Sequence, residues 1–322
     1  MKRILRCAVI SVCMTLCSDV VLVAEDELIS YGDFEQWVER SYKESSIIGG
    51  ARKTLYEVGP SGTWPEGKAY TNKGGSPWAT SNVYAKVAGV VKTNASVYKD
   101  SHNGHGSCVK LVTHIESVKV IGLINIRVLA AGSLFTGEMQ EPITSSKNPM
   151  TTMNMGIPFT RRPRAIKFDY KVQLSDSPDR IRETGFSRVS KVAGQDMCEV
   201  VVILQKRVED ARGNLSAYRV GTMILRYNKS TGSWVNDKEY TINYGNISGQ
   251  PWYHDYMGLI SGERTFYATN SKGKLVKCAE VGWAAANEVP THAIVKFDSS
   301  HGGAYVGSVG NTMWVDNVRW VY

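Results

Sequence analysis

Asp316 is the residue whose position most demands chemistry. It lies in the run Asn311-Thr312-Met313-Trp314-Val315-Asp316-Asn317-Val318-Arg319-Trp320-Val321-Tyr322. Alternate side chains of an extended chain share a face, so simple alternation predicts that Asp316 points with Trp314, Val318, Trp320 and Tyr322. A carboxylate on an apolar face is costly unless something pairs with it, and a salt bridge, backbone amides or a metal ion would each do so. Three acidic pairs, Glu138/Glu141, Asp176/Asp179 and Glu66/Asp255, are of the type that cleaves a glycosidic bond when held roughly 5 to 10 Å apart. The stretch His102-Asn103-Gly104-His105, with Cys108 behind it, has part of a metal-site spacing, but its Asn-Gly is a turn signal and further zinc ligands do not follow. Gly62-Thr63-Trp64-Pro65-Glu66-Gly67-Lys68 begins like a phosphate loop, yet Ala69 replaces the required Ser or Thr. No nucleophile elbow, dinucleotide fingerprint or HExxH pair is present.

The elements that must position these groups read as strands. Ile166, Phe168, Tyr170, Val172 and Leu174 alternate with Lys167, Asp169, Lys171 and Gln173, a strict period of two with one wet face. Val109, Leu111, Thr113 and Ile115 alternate in the same way, whereas Glu199 to Leu204 has the continuous apolar run of a strand buried on both faces. Further strands are expected at Ser216 to Tyr227, His292 to Asp298 and Thr312 to Tyr322, and one short helix around Asp33 to Glu44. Gly, Asn, Ser and Pro punctuate the intervals, with long loops at Gly59 to Thr80 and Met139 to Asn154. Many strands without helical spacers predict an all-β fold, an antiparallel β-sandwich with long loop insertions in one domain.

The chain has 322 residues, 43% hydrophobic and 21% charged, enough to bury a large core. Met1-Lys2-Arg3-Ile4-Leu5-Arg6 followed by the apolar run Cys7 to Leu16 predicts an export signal over residues 1–24, and a mature domain over 25–322. The competing reading, lipid attachment at Cys17, meets a bulky Leu16 and would supply the only membrane contact. The expected location is the periplasm, the outer-membrane surface or the extracellular space. Removing residues 1–24 takes away Lys2, Arg3, Arg6 and Asp19, lowering the formal net charge from +8 to +6. Charges are scattered apart from Arg161-Arg162-Pro163-Arg164, and no nucleic-acid motif accompanies that cluster, so no nucleic-acid partner is expected. Cys108, Cys198 and Cys278 permit one disulfide with one leftover thiol, and Cys198 and Cys278 could equally be buried singly in strands.

Several segments, in order along the chain, resemble a known family. Tyr31-Gly32-Asp33-Phe34-Glu35-Gln36-Trp37 is similar to the opening of carbohydrate-binding jelly rolls. Ala131 to Gly137, Gly156 to Pro163 with Asp169-Tyr170-Lys171, and Ser299 to Gly307 with the Val315-Asp316 strand resemble the putative carbohydrate metabolism domain, PCMD. Tyr31 and Gly303 depart from the family pattern, which expects Asn and an acid there. The resemblance implies a galactose-binding-like jelly roll in an exported protein with a polysaccharide or oligosaccharide partner, and it supplies no catalytic residue. It also implies a structural calcium ion tying the opening segment to the last strand through Glu35 and Asp316, with Asp33 as a further ligand. Sugar rings present apolar C–H faces that suit aromatic platforms. Two loops place tryptophan beside proline: Trp64, leading to Trp78, and Trp252, followed by Tyr253 and Asp255. With no legible catalytic constellation, glycan binding is expected ahead of glycoside hydrolysis by loop carboxylates and ahead of an adhesive or structural surface role.

Overall fold

The structure is a computed structural model that describes residues 25–322 apart from 73–74, 88, 121–123, 146–148 and 186. The expected export signal and Cys17 lie outside the described residues. Those residues form strands joined by loops and short 3-10 turns, as the period-two patterning predicts.

One sheet carries, in spatial order, Val235–Thr241, Ala165–Gln173, Thr312–Val321, Gly106–Val112 and Val97–His102, with Asp26–Leu28 added alongside Thr312–Val321. Every pairing in it is antiparallel. The second sheet is larger and closes on itself. Among the described residues, the circuit runs from Ser133–Met139 through His292–Asp298, Cys198–Glu209, Leu215–Tyr227, Leu275–Trp283, Phe266–Thr269 and Met153–Met155, and back to Ser133–Met139. Two pairings in the circuit are parallel, a feature absent from the purely antiparallel expectation.

Closure depends on one glycine. Ser133–Met139 pairs with His292–Asp298 at its start and with Met153–Met155 at its end, and Gly137 stands where it changes partner. Gly137 has φ 142°, and a Cβ there would sit 2.0 Å from the Asn154 carbonyl oxygen, so only glycine permits the approach.

The closed sheet explains the unbroken apolar run at Cys198–Glu209. Val200, Val202 and Leu204 enter the core between the two sheets, against Phe168, Val315 and Trp320. Val201 and Ile203 face the other way, into a second core with Phe135, Met155, Ile224 and Ile294 inside the closed sheet. Each such side chain contributes roughly 1.5–3 kcal/mol by leaving water, which is why the strand has no polar face to spare. Cys108, Cys198 and Cys278 are free and buried, so no disulfide forms among them.

The expected helix at Asp33 to Glu44 is corrected to a strand, Trp37–Lys43. There Trp37, Arg40 and Tyr42 are buried while Glu39 and Lys43 are exposed, and the strand pairs with Arg52–Val58 and with Gly62–Trp64 inside the expected long loop. Arg40 at a buried position breaks the hydrophobic alternation that would have revealed this strand.

Candidate functional site

The first candidate site forms where the last strand is irregular. Lys167 lies opposite Arg319, but Asp169 lies opposite Asp316, so the last strand carries one additional residue at this point. Asn317, with φ 53°, lies at this irregularity. A bulge of this kind reverses the parity of the strand beyond it. Met313 and Val315 enter the sandwich core on one side of the bulge, and Val318 and Trp320 enter it on the other. Simple alternation is therefore corrected: Asp316 and Trp314 face away from the core that holds Val318 and Trp320. Trp314 still keeps little exposure, because Lys110 and Lys171 lie over its ring and its Nε1 donates to Asp100 at 2.9 Å.

On this outer face Asp316 meets two groups from other strands. His102 closes the strand Val97–His102, and its Nδ1 lies 2.8 Å from Asp316 Oδ2 and 3.9 Å from Asp169 Oδ2. All three side chains are buried. The His102 ring is stacked between Trp234, at 3.7 Å, and His105, at 4.4 Å. Burial pushes the Asp316 carboxyl up to about 8, and the negative charges of Asp169, Glu35 and Asp33 push the same way. Burial also lowers the His102 pKa from its usual value. Asp169, read in the sequence as part of a wet face, is closed in by the Asp237 backbone N–H at 2.6 Å and the Asn317 side-chain amide at 2.9 Å.

Among the described residues, His102, Asp169 and Asp316 are the group whose ligating atoms all lie within 4.8 Å of one another. Asp33 and Glu35, expected from the family resemblance to join Asp316, are outside that group. Glu35 instead accepts hydrogen bonds from the Ser107 backbone N–H at 2.9 Å and the Ser107 hydroxyl at 3.1 Å. Calcium favours six to eight oxygens. The His102 nitrogen, 2.8 Å from an Asp316 oxygen, brings a donor of a different kind to that carboxylate.

The aromatic candidates separate cleanly. Trp78 is corrected to a core residue: it is fully buried, packs against Phe34 and Phe297, and donates from Nε1 to the Ser30 carbonyl at 2.9 Å. Trp64 is half-buried, set edge-on to Tyr70 with its Nε1 donating to the Ala69 carbonyl at 3.1 Å. Trp252 is 42% exposed. It borders a cleft of about 180 Å³ whose walls include Tyr240, Thr241, Asn243, Ile247 and Met257. Tyr253 packs against the second core, and exposed Asp255 begins the 3-10 turn Asp255–Met257.

Several of the loop acids are engaged by cations. Glu141 is buried on the Arg40 guanidinium, which it shares with Glu57. Glu66 pairs with Arg52 at the surface, and Lys191 with the Gly194 backbone N–H holds Asp179 below its usual range. Glu138, Asp176 and Asp255 are exposed. One acidic pair that sequence reading missed is Glu199 and Asp298, directly opposite on adjacent strands of the closed sheet. Burial raises the Asp298 pKa, while Arg226 pairs with Glu199 and both Lys296 and Ser133 bond Asp298. The Arg161 to Arg164 cluster is likewise engaged: Arg161 with Glu27 and the Tyr322 ring, Arg162 with the Tyr244 ring and two carbonyls, Arg164 with Glu239.

A β-sandwich whose second sheet closes on itself, with an aromatic-rimmed cleft at its surface, is the class of protein in hand. Residues 33–321 match the family described as "Putative carbohydrate metabolism domain", and the chain belongs to that family, as its motif segments implied. No curated protein matches it. Among solved structures, it is similar to a "putative glycoside hydrolase" from Bacteroides thetaiotaomicron at 20% identity and TM-score 0.42, covering 72% of this chain and 58% of that one. A second "putative glycoside hydrolase", from Bacteroides vulgatus, is similar at 14% identity and TM-score 0.42, covering 74% of this chain and 89% of that one.

Proposed function

We propose that this carbohydrate metabolism domain is an exported protein that binds a glycan chain on the surface around Trp252. One observation carries the reading: an exposed tryptophan borders a cleft lined by the Tyr240 ring together with Thr241 and Asn243, which bring a hydroxyl and an amide. That pairing of an apolar platform with hydrogen-bonding groups suits the two sides of a sugar ring. The cleft, at about 180 Å³, is smaller than the roughly 300–1,000 Å³ of an enclosed small-molecule pocket. Its size therefore suits one ring of a longer chain lying across an open surface. Export is supported by the basic start and apolar run within residues 1–16.

The test is a glycan array with the mature chain, followed by Trp252→Ala. Binding to a defined glycan class is expected, with a loss of about 5- to 150-fold in the variant, because a stacked aromatic is worth roughly 1–3 kcal/mol by analogy with base stacking. Full binding by the folded variant places the glycan elsewhere. A second reading, hydrolysis, rests on the Glu199 and Asp298 pair, since a general acid needs a raised pKa. Release of reducing ends that disappears in Asp298→Asn would favour it. Binding stands first because both carboxylates are already held by cations.

A further inference from the structure

The group on the outer face of the first sheet does not depend on the glycan reading. We propose that His102, Asp169 and Asp316 form a binding site for a single divalent transition-metal ion of the zinc type. Three separate elements deliver one ligand each: the end of Val97–His102, the middle of Ala165–Gln173, and the bulged last strand. The donor set, one imidazole and two carboxylates, is made of ligand types that zinc accepts, and three protein ligands leave a fourth position for water. Calcium and magnesium prefer oxygen alone, so the nitrogen decides between the metal classes.

The distances agree with that choice. Donors about 2.1 Å from a tetrahedral zinc lie about 3.4 Å from one another. The observed His102 Nδ1 separations, 2.8 Å to Asp316 and 3.9 Å to Asp169, fall on either side of that value. The three ligating atoms all lie within 4.8 Å of one another, close enough to converge on one ion after small side-chain shifts.

The supporting groups are already in place. The Asn317 backbone N–H holds the other oxygen of Asp316 at 2.8 Å, the Asp237 N–H and the Asn317 amide hold Asp169, and the Asn236 side chain bonds His102. Outer partners of this kind fix the orientation of metal ligands. The ring stacks of Trp234 and His105 restrain the imidazole plane. Charge points the same way: two carboxylates and one imidazole are buried together, with Asp33 and Glu35 acting on Asp316 from nearby. Lys171 acts on His102, but its ammonium sits 4.0 Å from the centroid of the Trp314 ring.

The test uses the full mature chain, stripped with chelator and dialysed, titrated separately with zinc, cobalt and calcium by calorimetry. One zinc per chain is expected, with cobalt producing visible d–d absorption at the same stoichiometry. His102→Gln and Asp169→Asn should each weaken zinc binding at least 10-fold while leaving glycan binding unchanged. His102→Gln retains a polar side chain of similar reach, and its circular dichroism and melting curve check that the fold survives. Zinc uptake that is absent in the folded chain, or that is unaffected by both variants, overturns the assignment. Stoichiometric calcium uptake without zinc uptake overturns it as well and supports the oxygen-only set of Asp33, Glu35 and Asp316.

Discussion

Glu57→Gln tests whether burial governs ionisation in the small sheet that carries Arg40. Glu57 faces Arg40 across the paired strands Arg52–Val58 and Trp37–Lys43, and the Thr80 hydroxyl donates to its second oxygen at 2.8 Å. The guanidinium also pairs with Glu141 and receives the Tyr42 hydroxyl as an acceptor at 2.7 Å. Two buried carboxylates therefore share one cation, and the group carries an excess negative charge. Burial, reinforced by Glu141 and opposed by Arg40, raises Glu57 from 4.5 to about 7. Because the folded pKa lies above the unfolded one, the folded state holds the proton more tightly. The associated stabilisation is complete below pH 4.5 and is lost as the pH rises through 7. At about 1.36 kcal/mol per pKa unit, the change across this window is on the order of 3 kcal/mol. Glutamine cannot ionise but keeps a carbonyl acceptor for Arg40. Urea unfolding at pH 4.5, 6 and 8 should show the variant gaining on the natural protein by about that amount as the pH rises. A gap that is independent of pH, or that moves in the natural protein's favour, would mean that Glu57 is fully ionised beside Arg40 and that the burial argument fails.

Two further outcomes concern the closed sheet. Arg219 is fully buried and bonds Glu280, the Thr222 hydroxyl and the Met257 and Gly258 carbonyls, while Gln205 and the Ile260 N–H complete Glu280. Arg219→Met should cost roughly 3–5 kcal/mol by leaving a buried carboxylate without its cation, and Arg219→Met with Glu280→Leu should recover much of that loss in urea unfolding. Gly137→Ala should cost several kcal/mol, since its Cβ would meet the Asn154 oxygen, whereas Gly273→Ala, with φ 71° and open space around it, should cost only about 1 kcal/mol. Equal losses at the two glycines would show that backbone strain alone, and not the tight crossing at Asn154, sets the penalty.

Local sequence determined the strands because a half-buried strand writes its own period. Ala165–Gln173 lies where the alternation of apolar residues places it, and the unbroken run after Cys198 announced a strand with two buried faces. It also marked Asp316 as a carboxylate in need of a partner, and Trp252 as a tryptophan in a proline-stiffened loop. The partners were decided elsewhere. A single bulge at Asn317 reversed the parity on which the face of Asp316 had been read, and nothing in the residue types around it signals an added residue. His102 is 214 residues from Asp316, and Asp169 looked like any charge on a wet strand face, so their meeting depends on which strands are neighbours. The same holds for Trp78, whose burial comes from Phe34 and Phe297 in distant segments. Periodicity is a property of one strand and can be read from it. Register, bulges and strand order are settled by competition among many strands for the same core, and only the folded chain records the result.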